Sequence, residues 1–182
     1  MRAVTRSVTG VLHPRRRARA RRSLQAGPPP QTVLVVCYGN ICRSPYVAAA
    51  LRRLLPPQAA GTRIESAGFV GAHRPAPANA IEVAAARGID LRRHMSRVVT
   101  PGAVSGADLV IVMEPGHVDM LRPLGRSRRP VLILGDLDPR PSQDRRIRDP
   151  VDQPRLVFAE CYDRADRCLA ELVNTIWGGR AG

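Results

Sequence analysis

The 182-residue sequence contains no lysine. All 29 of its basic residues are arginines, set against 15 acids, for a net charge of +14. Arginine without lysine is the usage of GC-rich coding, so part of this basicity is compositional. Aromatic residues are 3% of the chain, which leaves few rings to stack on a planar ligand. Four cysteines are too few for a disulfide scaffold, and their irregular spacing matches no zinc-ligand pattern. The longest nearly unbroken apolar stretch runs from about Ala107 to Met113, far short of the roughly 20 residues a membrane span needs. These absences exclude a helical membrane protein, a collagen-like chain and a disulfide-rich secreted domain. What remains is ordinary for a globular fold: 44% hydrophobic and 24% charged residues, with length for one domain and some surplus.

The surplus lies at the start. Residues 1–30 hold eight arginines and no acid, more than half of the excess charge, and close on Gly27-Pro28-Pro29-Pro30. No apolar periodicity runs through them. Such composition does not repay the entropy of folding, so a disordered basic extension is expected over 1–30, followed by one domain over 31–182. The extension lacks the apolar segment of a secretory signal. Contact with nucleic acid or another polyanion is the lesser reading of its charge.

From Gln31 the texture changes. Thr32 to Val36 reads as a buried β-branched strand, Arg63 to Ser66, Asp108 to Met113 and Val131 to Leu134 as three more. Helices are expected from Ser44-Pro45 to about Leu55, with Ser44 as N-cap, and from Asn79 to Arg87, stopped by Gly88. A short one follows over Pro115 to Leu121. Phe158, Cys161, Ala165, Cys168, Leu169, Leu172 and Ile176 recur at three- and four-residue steps, the stripe of a long final helix ending at Gly178-Gly179. Strands alternating with helices predict a parallel sheet covered on both faces, with ligands at the carboxyl ends of its strands.

One segment carries chemistry. Cys37-Tyr38-Gly39-Asn40-Ile41-Cys42-Arg43-Ser44 follows the first strand and runs into a helix. A loop so placed can turn consecutive backbone N–H groups toward one anion, and the helix N-terminus adds favourable partial charge. Arg43 can grip two phosphate oxygens with its planar fork. The same field favours a nucleophilic thiolate on Cys37, to which Ser44 can donate. The spacing of Cys and Arg alone is weak in so arginine-rich a chain, and Cys161 to Arg167 repeats it by chance. That copy falls inside the final helix, where the backbone N–H groups are already used and Asp163 and Asp166 repel phosphate. Cys161 is expected to be a packed core thiol.

Val33 to Pro45, VLVVCYGNICRSP, closely resembles the active-site segment of the low-molecular-weight protein tyrosine phosphatases. The likeness extends over about residues 32–177, through Glu65-Ser66-Ala67-Gly68, Gly88-Ile89-Asp90-Leu91 with His94 and Ser96-Arg97, Asp108 to Glu114, and Asp149-Pro150 before the last helix. The resemblance implies a flavodoxin-like, doubly wound α/β fold with a four-stranded parallel sheet and helices on both faces. It implies a cytoplasmic enzyme that needs no metal or cofactor. Cys37 would attack phosphorus to form a phosphocysteine, and Asp149 would protonate the leaving oxygen and then activate water. Phosphate would be held by Arg43 and the loop residues Tyr38, Gly39, Asn40, Ile41 and Cys42. Ser44, Ser66 and His94, with Asn40, would keep the loop in shape. Bacterial relatives of this kind often oppose tyrosine kinases of exopolysaccharide export, so a phosphotyrosine-bearing protein of that sort is the implied partner.

Some positions leave choices open. Asp138-Pro139 is a rival for the general acid, although only Asp149 directly precedes the final helix. The family's aromatic residue after the late Asp-Pro is replaced by Val151, and Tyr38 and Phe69 are the candidates to take over its contact with a substrate ring. Ile41 favours phosphotyrosine over phosphoarginine, since arginine-directed relatives tend to carry threonine there. Cysteines near the third strand, as arsenate reductases of this fold require, are missing. Cys42, five residues after Cys37, could pair with it reversibly or simply pack. Arg140, Arg145, Arg146 and Arg148 either draw acidic segments toward the site or are solvated arginines. Beside the phosphotyrosine reading stand a phosphatase for another phosphoester and a non-catalytic phosphate-binding or redox-sensing module.

Overall fold

The computed structural model describes residues 9–178. Strand β1 (Thr32–Cys37) lies between β2 (Arg63–Gly68) and β3 (Leu109–Val112), and β3 pairs onward with β4 (Leu132–Ile133). All pairings are parallel and the order is β2-β1-β3-β4, with Val35 opposite both Ser66 and Ile111. The order of connection reverses at β1, so the crevice beyond its carboxyl end is where this topology exposes a ligand site.

Alternation along β1 divides the core. Val33, Val35 and Cys37 face helices α2 (Arg43–Leu54), α3 (Ala78–Ala85) and α6 (Arg155–Trp177), with Tyr46, Leu51, Ala84, Phe158 and Leu169 among their neighbours. Leu34 and Val36 face the other way, into a smaller core with Val104 of α4 (Pro101–Gly106) and Leu121 of α5 (Pro115–Leu121). The sheet is thus covered on both faces, as expected of a doubly wound fold. Burial on both sides is why β1 and β3 read as continuous apolar runs.

The strands and helices expected from Thr32 onward appear in order, with ends shifted by a few residues. Gly88, with φ of +72°, follows α3 in the left-handed conformation that stops it. Ser44 is not a cap: α2 begins at Arg43, and the Ser44 hydroxyl points to Cys37 instead. Helix α4 was not expected. It is opened by Pro101 in its first turn and by the Thr100 side chain, which accepts from Ala103 N at 3.2 Å.

The expectation of disorder over 1–30 is corrected for the part the structure describes. Thr9–Gln25 forms helix α1, which packs against α6 and the 3₁₀ turn Leu134–Leu137. Arginine and alanine are strong helix formers, so intrinsic propensity is met. The arginine run also finds a counter-charge: Glu171 of α6 lies 2.7 Å from Arg17 and 3.2 Å from Arg21. Ala20 and Leu24 are buried beneath the helix. Arg129 donates to Leu24 O at 3.4 Å and also to Pro28 O, tying down the end of α1 and the proline run after it. Residues 1–8 of the expected extension lie outside the described residues.

Candidate active site

β1 delivers Cys37 as its last residue, buried at the carboxyl end of the sheet. The loop then has five residues, 38–42, to turn into α2 while keeping its N–H groups inward. Asn40 makes this possible by adopting a left-handed conformation, φ +51°. Its amide N–H points back to Cys37 Sγ at 3.2 Å. Gly68, at the end of β2, lets the loop sit close: a Cβ there would fall 2.8 Å from both Asn40 N and Tyr38 O.

The Asn40 side chain is fixed at both ends. Its Oδ1 accepts from Arg97 N at 2.9 Å, so its Nδ2 faces and donates to Ser44 Oγ at 2.8 Å. That leaves the Ser44 proton to Cys37 Sγ at 3.0 Å or to the more distant Ala67 O at 3.4 Å. The nucleophile candidate is therefore faced by a hydroxyl and a backbone N–H. His94 Nε2–H donates to Asn40 O at 2.6 Å. Burial pushes the His94 imidazole below its ordinary value and favours the neutral form.

Arg43 is 2% exposed. Its Nη1 donates to Ile147 O at 3.2 Å and to Glu114 Oε1 at 3.4 Å, and its Nη2 meets the Asp149 carboxylate. Its Nε is buried with no protein partner. Ile147 N in turn donates to Met113 O at 2.8 Å, so the segment bearing Asp149 is hung on the end of β3. The rival Asp138 is buried elsewhere, paired with Arg164 at 2.9 Å and Arg167 at 3.3 Å of α6. Asp149 is the one that faces the loop.

Other expected site residues sort as follows. Ser66 is buried on β2 opposite Val35, and among the described residues its hydroxyl makes no hydrogen bond to the loop, unlike Asn40, Ser44 and His94. Cys42 is a free, buried thiol pushed up to about 12, chiefly by burial, and its carbonyl accepts from the Tyr162 hydroxyl at 3.2 Å. Cys161 is buried on α6 with its thiol likewise pushed up to about 12, a core position. Tyr38 stands half exposed on the loop and Val151 lies exposed beyond Asp149, whereas Phe69 packs against His117 at 5.4 Å between ring centroids. Arg145 and Arg146 are tied to Asp136 and Asp144, while the Arg140 and Arg148 side chains have no partner among the described residues. No three His, Cys, Asp or Glu side chains gather as metal ligands among the described residues. No helix among them is long and apolar enough to cross a membrane.

Sequence reasoning missed Glu114, His117, Arg74 and Ser96. Glu114 stands two residues past the end of β3, beside Arg43, and its place at a strand's carboxyl end was a usable signal. His117 Nε2 lies 2.9 Å from Glu114 Oε1 but out of line for a hydrogen bond. Arg74 gave no signal, being a common residue type in a loop, and Ser96 stood within the family resemblance but without its contacts to Arg74 and Gly71.

A thiol, an arginine and a carboxylate converge where a strand turns through a loop into a helix, an arrangement chemically suited to bind a phosphate group and attack it. Residues 32–178 match the family model described as low molecular weight phosphotyrosine protein phosphatase. The chain belongs to that family. It is 37% identical over 153 residues to the probable low molecular weight protein-tyrosine-phosphatase EpsP of Ralstonia nicotianae, covering 80% of this chain and 96% of that protein. It is 32% identical over 147 residues to the low molecular weight protein-tyrosine-phosphatase Etp of Escherichia coli, covering 80% and 94%. Among solved structures, Vibrio vulnificus Wzb in complex with benzylphosphonate superposes with a TM-score of 0.67 at 32% identity, covering 79% of this chain and 97% of that one.

Proposed function

We propose that this chain hydrolyses phosphotyrosine on proteins, without a metal, through a phosphocysteine on Cys37. The observation that carries the reading is the convergence on one loop of a thiol faced by Asn40 N–H and Ser44 O–H with an arginine clasped to a carboxylate. The guanidinium edge that meets Asp149, together with the unpartnered buried Nε, is what a phosphate needs for bidentate binding. Phosphate then takes the carboxylate's place on Arg43, and Asp149 is released beside the leaving group.

In the first step the Cys37 sulfur pair forms the S–P bond as the P–O bond to the leaving group breaks. Asp149 gives its proton to that oxygen. In the second, water attacks phosphorus, Asp149 takes its proton and the S–P bond breaks. Ser44 and Asn40 N–H receive the departing thiolate. Arg43 and the loop N–H groups hold the charge on the phosphoryl oxygens, the largest contribution expected in such sites.

Phosphotyrosine as substrate is supported by the names of the relatives and by Ile41. The proposed partner, a tyrosine kinase of exopolysaccharide export, and a cytoplasmic setting rest on family resemblance. Val151, exposed where the family usually has an aromatic residue, motivates a second reading, action on another phosphoester such as an alkyl phosphate.

Hydrolysis of p-nitrophenyl phosphate in EDTA tests the proposal. Wild type turns over and Cys37→Ser falls to background while keeping its fold. Asp149→Ala loses about 10²–10⁴-fold in kcat for poor leaving groups and much less for good ones. Activity in Cys37→Ser, or equal losses across leaving groups in Asp149→Ala, overturns the assignment. Equal kcat/KM for phosphotyrosine and alkyl phosphates selects the second reading.

A further inference from the structure

The phosphate loop works only if its peptide planes keep their carbonyls outward. Each outward carbonyl turns the following N–H inward, so the carbonyl of Gly39 sets the N–H of Asn40 and the carbonyl of Asn40 sets that of Ile41. The second is held by His94. The first is held by Arg74, thirty-five residues away, whose Nη2 donates to Gly39 O at 2.9 Å. The same nitrogen donates to Val70 O at 3.0 Å, and Nε donates to Gly71 O at 3.3 Å. One guanidinium therefore staples the loop to the turn after β2.

The staple is itself fixed. Arg74 N donates to Ser96 Oγ at 2.9 Å, Arg74 O accepts from Ser96 N at 2.9 Å, and Ser96 Oγ donates to Gly71 O at 2.5 Å. Ser96 is fully buried. Room for the guanidinium comes from two glycines: a Cβ on Gly39 would lie 2.9 Å from Arg74 Nη2, and one on Gly71, which has φ of +67°, would collide with the same side chain. Among the described residues no carboxylate pairs with Arg74, although most arginines beside the fold's acids are paired. Its charge is directed only at carbonyls, and so adds to the positive field around the loop rather than being cancelled.

We infer that Arg74 is a positioning residue of the phosphate site, holding the Gly39 peptide so that the Asn40 N–H faces the sulfur and the bound phosphoryl group. The inference rests on the phosphatase reading of that site. Removing Arg74 releases one peptide plane without removing a donor. Its effect is therefore smaller than the 10²–10³-fold that loss of an oxyanion-type donor causes, about 10-fold.

The test uses the full chain, with Arg74→Gln, Arg74→Lys and Arg74→Ala beside wild type. Turnover of p-nitrophenyl phosphate and calorimetric binding of orthovanadate are both measured, with circular dichroism and Tm as controls. Arg74→Gln should lose about 10-fold in kcat/KM and a similar factor in vanadate affinity at unchanged secondary structure. Arg74→Lys, which keeps the charge but reaches fewer carbonyls, should recover part of both. Added guanidinium at millimolar levels should raise both in Arg74→Ala and leave wild type unchanged. Values within two-fold of wild type in Arg74→Gln overturn the inference. So does a loss that tracks a fall in Tm and does not respond to guanidinium, which makes Arg74 a brace of the fold only. If wild type binds vanadate without turnover, the phosphatase reading fails, and the vanadate affinities still decide the role of Arg74.

Discussion

At the scale of single residues, the site is a set of short-range and long-range demands that differ in how they show in a sequence. Cys37, Asn40, Arg43 and Ser44 lie within eight positions, so their spacing and the strand before them reveal the anion loop directly. Arg74, Glu114 and the reason for Gly68 are contacts across 28 to 71 residues, and of these only Glu114 has a local mark, its place just past the end of a strand. Gly68 gives a prediction at this scale. An alanine Cβ would come within 2.8–2.9 Å of three backbone atoms, Asn40 N, Tyr38 O and Gly39 C. Backbone does not yield as a flexible side chain does, so the loop must move. Gly68→Ala should cost about 1–3 kcal/mol of stability, as overpacking does, and about 10²-fold in kcat because the N–H groups lose aim. Urea unfolding and p-nitrophenyl phosphate turnover check both. A variant that loses stability but retains kcat would show that the close approach serves the sheet and not the loop.

Elements tell a different story. The elements from β1 through α6, the short helix α4 apart, were legible because their burial follows fixed periods, two along the strands and about three and a half along α6. Helix α1 was not legible, because its buried face consists of little more than Ala20 and Leu24 between arginines. What stabilises it, Glu171 opposite Arg17 and Arg21 together with the Arg129 bonds, lies more than a hundred residues downstream. The family match begins at residue 32, so α1 is an addition to the shared fold. It bears on the site indirectly: Arg16 donates to Gln143 O at 3.3 Å, and the turn Leu134–Leu137 beneath the helix leads into the segment that carries Asp149. Leu24 is the main apolar anchor, and its replacement by alanine should cost about 2–3 kcal/mol if α1 is a true part of the fold. Limited proteolysis should then cut within residues 9–25 far faster than in wild type. Unchanged stability and unchanged cleavage would mean that α1 contributes nothing to the folded domain.

For the molecule as a whole, charge and pH act together. The chain already carries +14 before any histidine is protonated, so acid adds to an existing self-repulsion. A second effect has the same sign. His94 and His117 are both pushed below the ordinary imidazole value of 6.5, each mainly by burial, and His117 is packed against Phe69 with neither ring nitrogen well bonded. The unfolded chain therefore takes up protons first as the pH falls through 6.5. Their contribution to stability is complete above that value and is lost from there down to the folded values. Asp166, raised by burial beneath Tyr46, carries the opposite sign, its contribution growing as the pH falls through its folded value toward the ordinary 3.8. Salt separates the two main effects, since about 0.5 M shortens the reach of surface repulsion while leaving a buried imidazole little changed. Wild-type Tm should fall between about pH 7.5 and pH 5.5, and part of the fall should persist in salt. His117→Gln, which has no proton to gain, should reduce that persistent part whatever its own stability. A His117→Gln profile parallel to wild type in high salt would assign the whole fall to His94 and net charge, and leave the buried imidazole beside Glu114 without a part in the acid sensitivity of the fold.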